Sequence, residues 1–195
     1  MRTLFTSGTA PRPRSRLRAR LVLAGLSACG LTALAWASLV SPLPRLTYNP
    51  SDSVAVGWYR VEPLDHRAGS LPRSLSVGSI VLVPLPADAA ALAARRGYLP
   101  THIPLLKRIG AVAPQKVCIV GRSVRIDGVP VATALPADRL GRPLPSLPLC
   151  RRLVPGELFL LSVTNPASFD SRYFGPVSAS AVLGVAHPVW LETRR

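Results

Sequence analysis

The most conspicuous pattern in the chain is a run of twenty uncharged, mainly apolar residues, Leu21 to Val40, directly after a stretch dense in arginine. A helix of that length, at about 1.5 Å per residue, reaches about 30 Å, the depth of a bilayer core. Beyond it the apolar positions come in short bursts. Ser79 to Val83, closed by Pro84, predicts a buried strand. Asp88 to Arg96 predicts a short helix, with Asp88 as N-cap, an alanine-rich body and Gly97 as the stop. Val117 to Val120, Ser123 to Ile126 and Val129 to Ala132 predict a meander turned at Gly121-Arg122 and Asp127-Gly128. Glu157 to Val163 and Ala181 to Glu192 predict two further strands. Residues 133–150 are proline-rich and irregular, an excursion that Cys150 would tie back to the sheet. The expected architecture is a mostly β, antiparallel domain over residues 45–195. An Arg-rich tail (1–20), a transmembrane anchor (21–40) and a stiff spacer (41–47) precede it.

Composition supports this outline. The 195 residues include 21 Pro and 14 Gly, punctuation that suits strands and loops better than a helical bundle. The net charge of +15 raises the question of nucleic acid, but no finger spacing, aromatic-interleaved basic strand or recognition-helix pattern accompanies it. Six Arg lie within the first twenty residues (Arg2, Arg12, Arg14, Arg16, Arg18, Arg20). Positive charge on that side of the span places the N-terminus in the cytoplasm and the rest of a single-pass chain in the periplasm of a bacterial inner membrane. A cleaved leader is the alternative, with small-x-small sites at Ala33-Leu34-Ala35 and Ala35-Trp36-Ala37. The apolar run is longer than the usual leader core and favours the anchor. Cys29 falls within the span. Cys118 and Cys150 form an even pair in the exported part, a candidate disulfide, with two buried thiols as the other reading. No zinc spacing occurs, and no metal or cofactor is expected.

Familiar hydrolase signatures are missing. His66, His102 and His187 are scattered, HExxH and phosphate-binding glycine loops do not occur, and the nine acidic residues offer no evident catalytic pair. Of 24 basic residues, however, only Lys107 and Lys116 are lysine. Arginine keeps its proton at any usable pH, whereas a buried lysine can lose it. Lys107 stands in an apolar, strand-like run, Ile103 to Gly110, where Leu105, Leu106 and Ile109 would dry its amine and lower its pKa. Ser51 and Ser53 lie in the turn that follows Tyr48-Asn49-Pro50. A serine hydroxyl is a weak nucleophile that needs a base beside it, and a neutral lysine can be that base.

These stretches together resemble the ordered boxes of the type I signal peptidases. Ser51-x-Ser53 precedes Gly57, a strand follows at 77–83, then Lys107-Arg108 and Pro114-Gln115-Lys116-Val117, and finally Gly156-Glu157-Leu158-Phe159. The most specific box is Ser168-Phe169-Asp170-Ser171-Arg172-Tyr173-Phe174-Gly175-Pro176-Val177. Asn49-x-Ser51-x-Ser53-x-x-x-Gly57-x-Tyr59 and Gly141-Arg142-Pro143-Leu144-Pro145 are closer to the TraF-type conjugative transfer peptidases. The resemblance implies a signal-peptidase-like β domain and cleavage after small residues. It matches Ser53 to the nucleophile, Lys107 to the general base and Ser51 to an oxyanion donor. It matches Ser168 to a residue that orients the lysine, and Asp170 and Arg172 to a supporting ion pair. The implied substrate is a prepilin or another exported precursor, and some members of the group also join pilin ends. A general signal peptidase and a catalytically silent assembly factor remain competing readings. Ala55 stands where the family commonly has proline, Ala113-Pro114-Gln115 where it has Pro-Gly-Asp, and Ser162 to Asn165 where it has Gly-Asp-Asn.

Lys107→Arg is predicted to abolish cleavage of a small-residue precursor while leaving the circular dichroism of the domain unchanged, and Lys116→Arg to be nearly silent. Equal cleavage by the two variants in a gel assay would overturn the assignment of the base.

Overall fold

The structure, a computed structural model, describes residues 13–39, 46–64 and 75–193, and the chain divides into two units, Met1–Pro42 and Leu43–Arg195. In the first unit a single helix, α1, covers Pro13–Leu39. It begins well before Leu21, because arginine is a good helix former and gives the chain no reason to break at the charge boundary. Every residue from 16 to 36 is exposed, and the apolar side chains are spread evenly around the axis. The stretch Arg16–Trp36 is long and apolar enough to cross a membrane. A helix apolar on all sides and exposed from 16 to 36 is suited to a lipid surround, as a membrane anchor or a signal sequence. The start of the tail, most of the spacer and His66 fall outside the described residues.

Among the described residues the second unit contains eleven strands. They are β1 (Leu46–Asn49), β2 (Gly57–Pro63), β3 (Ile80–Val83), β4 (Leu105–Val112), β5 (Lys116–Val120), β6 (Ser123–Ile126), β7 (Val129–Thr133), β8 (Leu149–Arg152), β9 (Glu157–Leu160), β10 (Val177–Ser178) and β11 (Gly184–Leu191). Two helices interrupt them, α2 (Ala87–Arg95) and the single turn α3 (Ser171–Phe174). The strands form a seven-stranded sheet in the order β1-β2-β11-β3-β4-β9-β10 and a four-stranded sheet in the order β7-β6-β5-β8. Every pairing is antiparallel. This is the mostly β, antiparallel architecture that the strand pattern predicts.

Strand β3 shows why its sequence is apolar throughout. Val81 and Val83 enter one hydrophobic cluster with Ile109, Leu158 and Leu160, while Ile80 and Leu82 enter another with Tyr59, Val61 and Leu106. Both faces are covered, so no polar alternation survives. On β9 the alternation serves a third cluster: Leu158 and Leu160 face the first, Phe159 and Leu161 pack with Val117, Val124 and Ala111 beneath the small sheet. A register irregularity between Ile109 and Ala111 lets β4 change clusters at Gly110. A Cβ at Gly110 would stand 2.7 Å from the Leu161 side chain.

The short helix differs from expectation at its start. Pro86 holds the N-cap position, with no side-chain cap bond, and Asp88 sits inside the first turn, where its charge faces the positive end of the helix dipole. Strands β1, β8 and β10 are additional to the predicted set. The expected turns are present, with Asp127 and Gly128 both at positive φ, as a tight hairpin requires. Cys118 and Cys150 are directly opposed on β5 and β8, and their sulfurs are bonded, closing a 32-residue separation around the proline-rich excursion.

Gly57 opens β2 at φ +146°, and a Cβ there would lie 2.2 Å from the Trp190 carbonyl oxygen. Gly57→Ala is therefore predicted to lower the urea midpoint by the equivalent of about 2 kcal/mol or more, since backbone rather than a flexible side chain must give way. An unchanged midpoint would show that the β2–β11 contact is looser than described.

Candidate active site

The turn between β1 and β2 carries both serines, and Asn49 at the end of β1 organises it. The buried amide of Asn49 donates to the carbonyls of Ser51 (2.7 Å), Val54 (3.1 Å) and Ala55 (3.1 Å). Its Oδ1 accepts from the Ser51 N–H (3.3 Å) and the Ser51 hydroxyl (2.9 Å). Tyr59 donates its hydroxyl to the Ala55 carbonyl at 2.6 Å, so two side chains hold the turn at the position where the family commonly uses proline. Sequence reasoning missed this role of Asn49. The Asn-Pro-Ser run was the available signal, since an asparagine whose oxygen bonds a backbone N–H two residues on makes an Asx turn.

Ser53 is 8% exposed, and its Oγ lies 2.9 Å from Ser51 Oγ. Ser51 already gives its single hydroxyl proton to Asn49, so in this arrangement Ser53 is the donor of the pair.

Lys107 occupies the middle of β4 opposite Val81, which puts its side chain on the sheet face shared by Leu105 and Ile109. Leu106 packs in the cluster of Leu82 and Tyr59 and also lines the cleft that Lys107 lines. At 3% exposure the side chain stands where a core residue belongs. Burial lowers its pKa from 10.5 to about 8; the Asp170 carboxylate opposes the shift and the Arg172 guanidinium adds to it. The two ionic neighbours thus act in opposite senses, and loss of water dominates. Nζ donates a hydrogen bond to Ser168 Oγ.

Ser168 belongs to the segment that leads into α3, and a buried ion pair fixes that segment. Arg172 (1% exposed) meets Asp170 (0%) through Nε at 2.8 Å and Nη2 at 2.9 Å. Its remaining N–H groups bond the carbonyls of Thr133, Asn165, Pro166 and Ser168. Asp170 also accepts from the Ser162 N–H, and Ser171 Oγ accepts from the Leu160 N–H, so the segment satisfies the end of β9 where no strand continues. No charge or donor in this group is left over, the condition under which a buried pair is tolerable.

Ser51, Ser53, Lys107 and Ser168 all line one open cleft of about 690 Å³. Its walls are largely apolar, with Leu82, Leu105, Leu106 and Phe169 among them. The far side is closed by the excursion, which a second polar network pins. Asp138 accepts from the Tyr98 hydroxyl and from Arg142 Nε at 2.7 Å, and Arg96 reaches the Pro143 carbonyl at 2.7 Å. Tyr98 in turn packs against Phe169, 5.5 Å between ring centres. Sequence reasoning noted the Gly141 to Pro145 run but not this anchor. Asp170 and Arg172 lie behind the cleft wall rather than on it.

A family model for signal peptidase, peptidase S26, matches residues 18–191. The chain belongs to that family. It is 34% identical over 186 residues to a probable conjugal transfer protein TraF of Sinorhizobium fredii (strain NBRC 101917 / NGR234), covering 89% of this chain and 92% of that one. It is 35% identical over 182 residues to a conjugal transfer protein TraF of Agrobacterium tumefaciens (strain 15955), covering 89% and 96%. A plasmid transfer protein TraF of Escherichia coli is 28% identical over 183 residues, covering 89% and 95%. The TraF-type resemblance read from Asn49 to Tyr59 is thus matched along nearly the whole chain.

A lysine whose folded pKa lies near 8 and whose unfolded value lies near 10.5 binds fewer protons folded than unfolded between those limits. Stability is therefore predicted to rise with pH across that window, and burial of the charged form to cost about 3 kcal/mol below it. Lys107→Met, measured by urea denaturation of the full chain in detergent, should be more stable than the parent at pH 7 and should lose that rise. A parent protein whose midpoint is flat between pH 8 and 10.5 would contradict the buried amine.

Proposed function

We propose that this chain is a membrane-anchored serine endopeptidase with Ser53 as nucleophile and Lys107 as general base. The observation that carries the reading is that Ser53 and a buried lysine of lowered pKa line the same cleft. A neutral amine that donates one N–H to Ser168 keeps its lone pair for a second partner. Ser53 Oγ gives its proton to that lone pair as it bonds the scissile carbonyl carbon. The resulting oxyanion is received by the Ser53 N–H and by the Ser51 hydroxyl, which must first release Asn49 Oδ1. The C–N bond then breaks, the Lys107 ammonium returns its proton to the leaving nitrogen, and an ester remains on Ser53. Water gives a proton to Lys107, attacks the ester, and the proton passes back to Ser53 Oγ. Asp170 and Arg172 hold Ser168 in place and take no part in bond making.

The substrate on this reading is an exported precursor cut after small residues. The conjugal and plasmid transfer names of the relatives support a role in conjugation, and a pilin precursor is the substrate class of this reading. Helix α1 serves as the anchor in the inner membrane, with the β domain on the periplasmic side.

Ser53→Ala is predicted to abolish cleavage of such a precursor by the purified full chain while the fold is retained. In the parent, kcat/KM should climb with pH and level off above about 8, because only the neutral amine can take the proton. Undiminished cleavage by Ser53→Ala, or an acid limb centred near 6, would rule out this pair.

A further inference from the structure

The cleft described above ends at the nucleophile turn, but the surface does not close there. A second hollow of about 370 Å³ lies against the same turn, and Asp52 and Ser53 line both. Its walls are the strand-entry residues Val54 to Val56 on one side and Leu161 to Thr164 on the other. Its charged members are Asp52, Arg108 and Glu192. Glu192 is fixed in place: its N–H donates to the Val56 carbonyl at 2.9 Å, and its carboxylate accepts from the Tyr48 hydroxyl at 2.6 Å. Arg108 donates to the Gly78 carbonyl at 2.7 Å, outside the lining of the hollow.

The charge of this hollow runs against the rest of the molecule. The chain has 24 basic and nine acidic residues, so a surface patch taken at random is basic. Here two carboxylates face one guanidinium. The hollow also lacks Lys107, Ser51 and Ser168, which line the larger, apolar-walled cleft. A peptide crossing Ser53 must put the half that becomes the ester on one side and the half that leaves as an amine on the other. The apolar cleft beside the amine base suits the first half. We infer that the second hollow receives the segment just downstream of the scissile bond, and that Asp52 and Glu192 make it select a basic residue there over an acidic one.

This inference rests on the proposed peptidase reading and extends it to the leaving side of the substrate. The carboxylates attract a downstream Lys or Arg side chain, and later the ammonium of the released product, in a protein whose net field otherwise repels both. Ala55 and Val163, both exposed, give the hollow apolar surface to hold an aliphatic stem beneath such a charged tip.

The test uses the full chain in detergent and peptides identical but for Lys, Gln or Glu at the second position after the cleaved bond. Relative kcat/KM should fall from Lys to Gln to Glu, spanning on the order of tenfold at low ionic strength and shrinking with added salt. Glu192→Lys should flatten or reverse the order. Arg108→Gln, which removes the opposing charge without disturbing Tyr48, should steepen it. The same order and span in both variants and the parent, or no dependence on the downstream charge in the parent, would overturn the inference while leaving the peptidase reading intact. Failure to cut any peptide in the series would instead count against that reading.

Discussion

An ammonium group is costly to strip of water, and this domain strips one at the centre of its main sheet. Lys107 takes a position on β4 that the strand pairing assigns to the core, beside Val81 and between Leu105 and Ile109. The surrounding structure can be understood as what makes that placement tolerable. The neighbouring charges, Asp170 and Arg172, are locked onto each other and so offer the amine no net counter-charge. Ser168 gives it a hydrogen-bond partner without giving it a charge. The balance settles on the neutral amine in the mildly alkaline range, which is the form that basic chemistry needs.

The two parts that line the cleft together with Lys107 are held by unlike means. The serine turn depends on one asparagine side chain that bonds three carbonyls and one hydroxyl, plus a tyrosine from the following strand. The Ser168 segment depends on a guanidinium that gathers four carbonyls, three of them (Asn165, Pro166 and Ser168) within a proline-bearing bend at residues 165–168. Both devices use buried side-chain polarity to hold backbone where no strand pairing is available. The site is thereby set on irregular backbone with defined geometry, and the sheet supplies the rigid floor.

Much of this was legible in the sequence because local and tertiary demands agree. The meander from β5 to β7 follows its turn residues, and β3 follows its unbroken apolar run, since burial on both faces erases alternation. Lys107 could be singled out because arginine serves at almost every other basic position. The misses have physical reasons as well. Strand β8, Leu-Cys-Arg-Arg, has no apolar alternation and exists because β5 pairs with it. Strand β1 is a mostly exposed edge whose ordering comes from β2. The start of α2 was misread because Pro86, with its φ already suited to a helix entrance, displaced the aspartate two residues on. The anchor formed by Tyr98, Asp138 and Arg142 joins residues some forty positions apart, beyond the reach of any local pattern.

The excursion between β7 and β8 forms the far wall of the large cleft, and the bond between Cys118 and Cys150 closes the loop that contains it. Thiols stay reduced in bacterial cytosol and pair once they leave it. In a reducing surround the wall would therefore be pinned by hydrogen bonds and ring contacts alone. Covalent completion of the groove therefore depends on an oxidising surround, and the two sulfurs act as a clasp that only such a surround fastens.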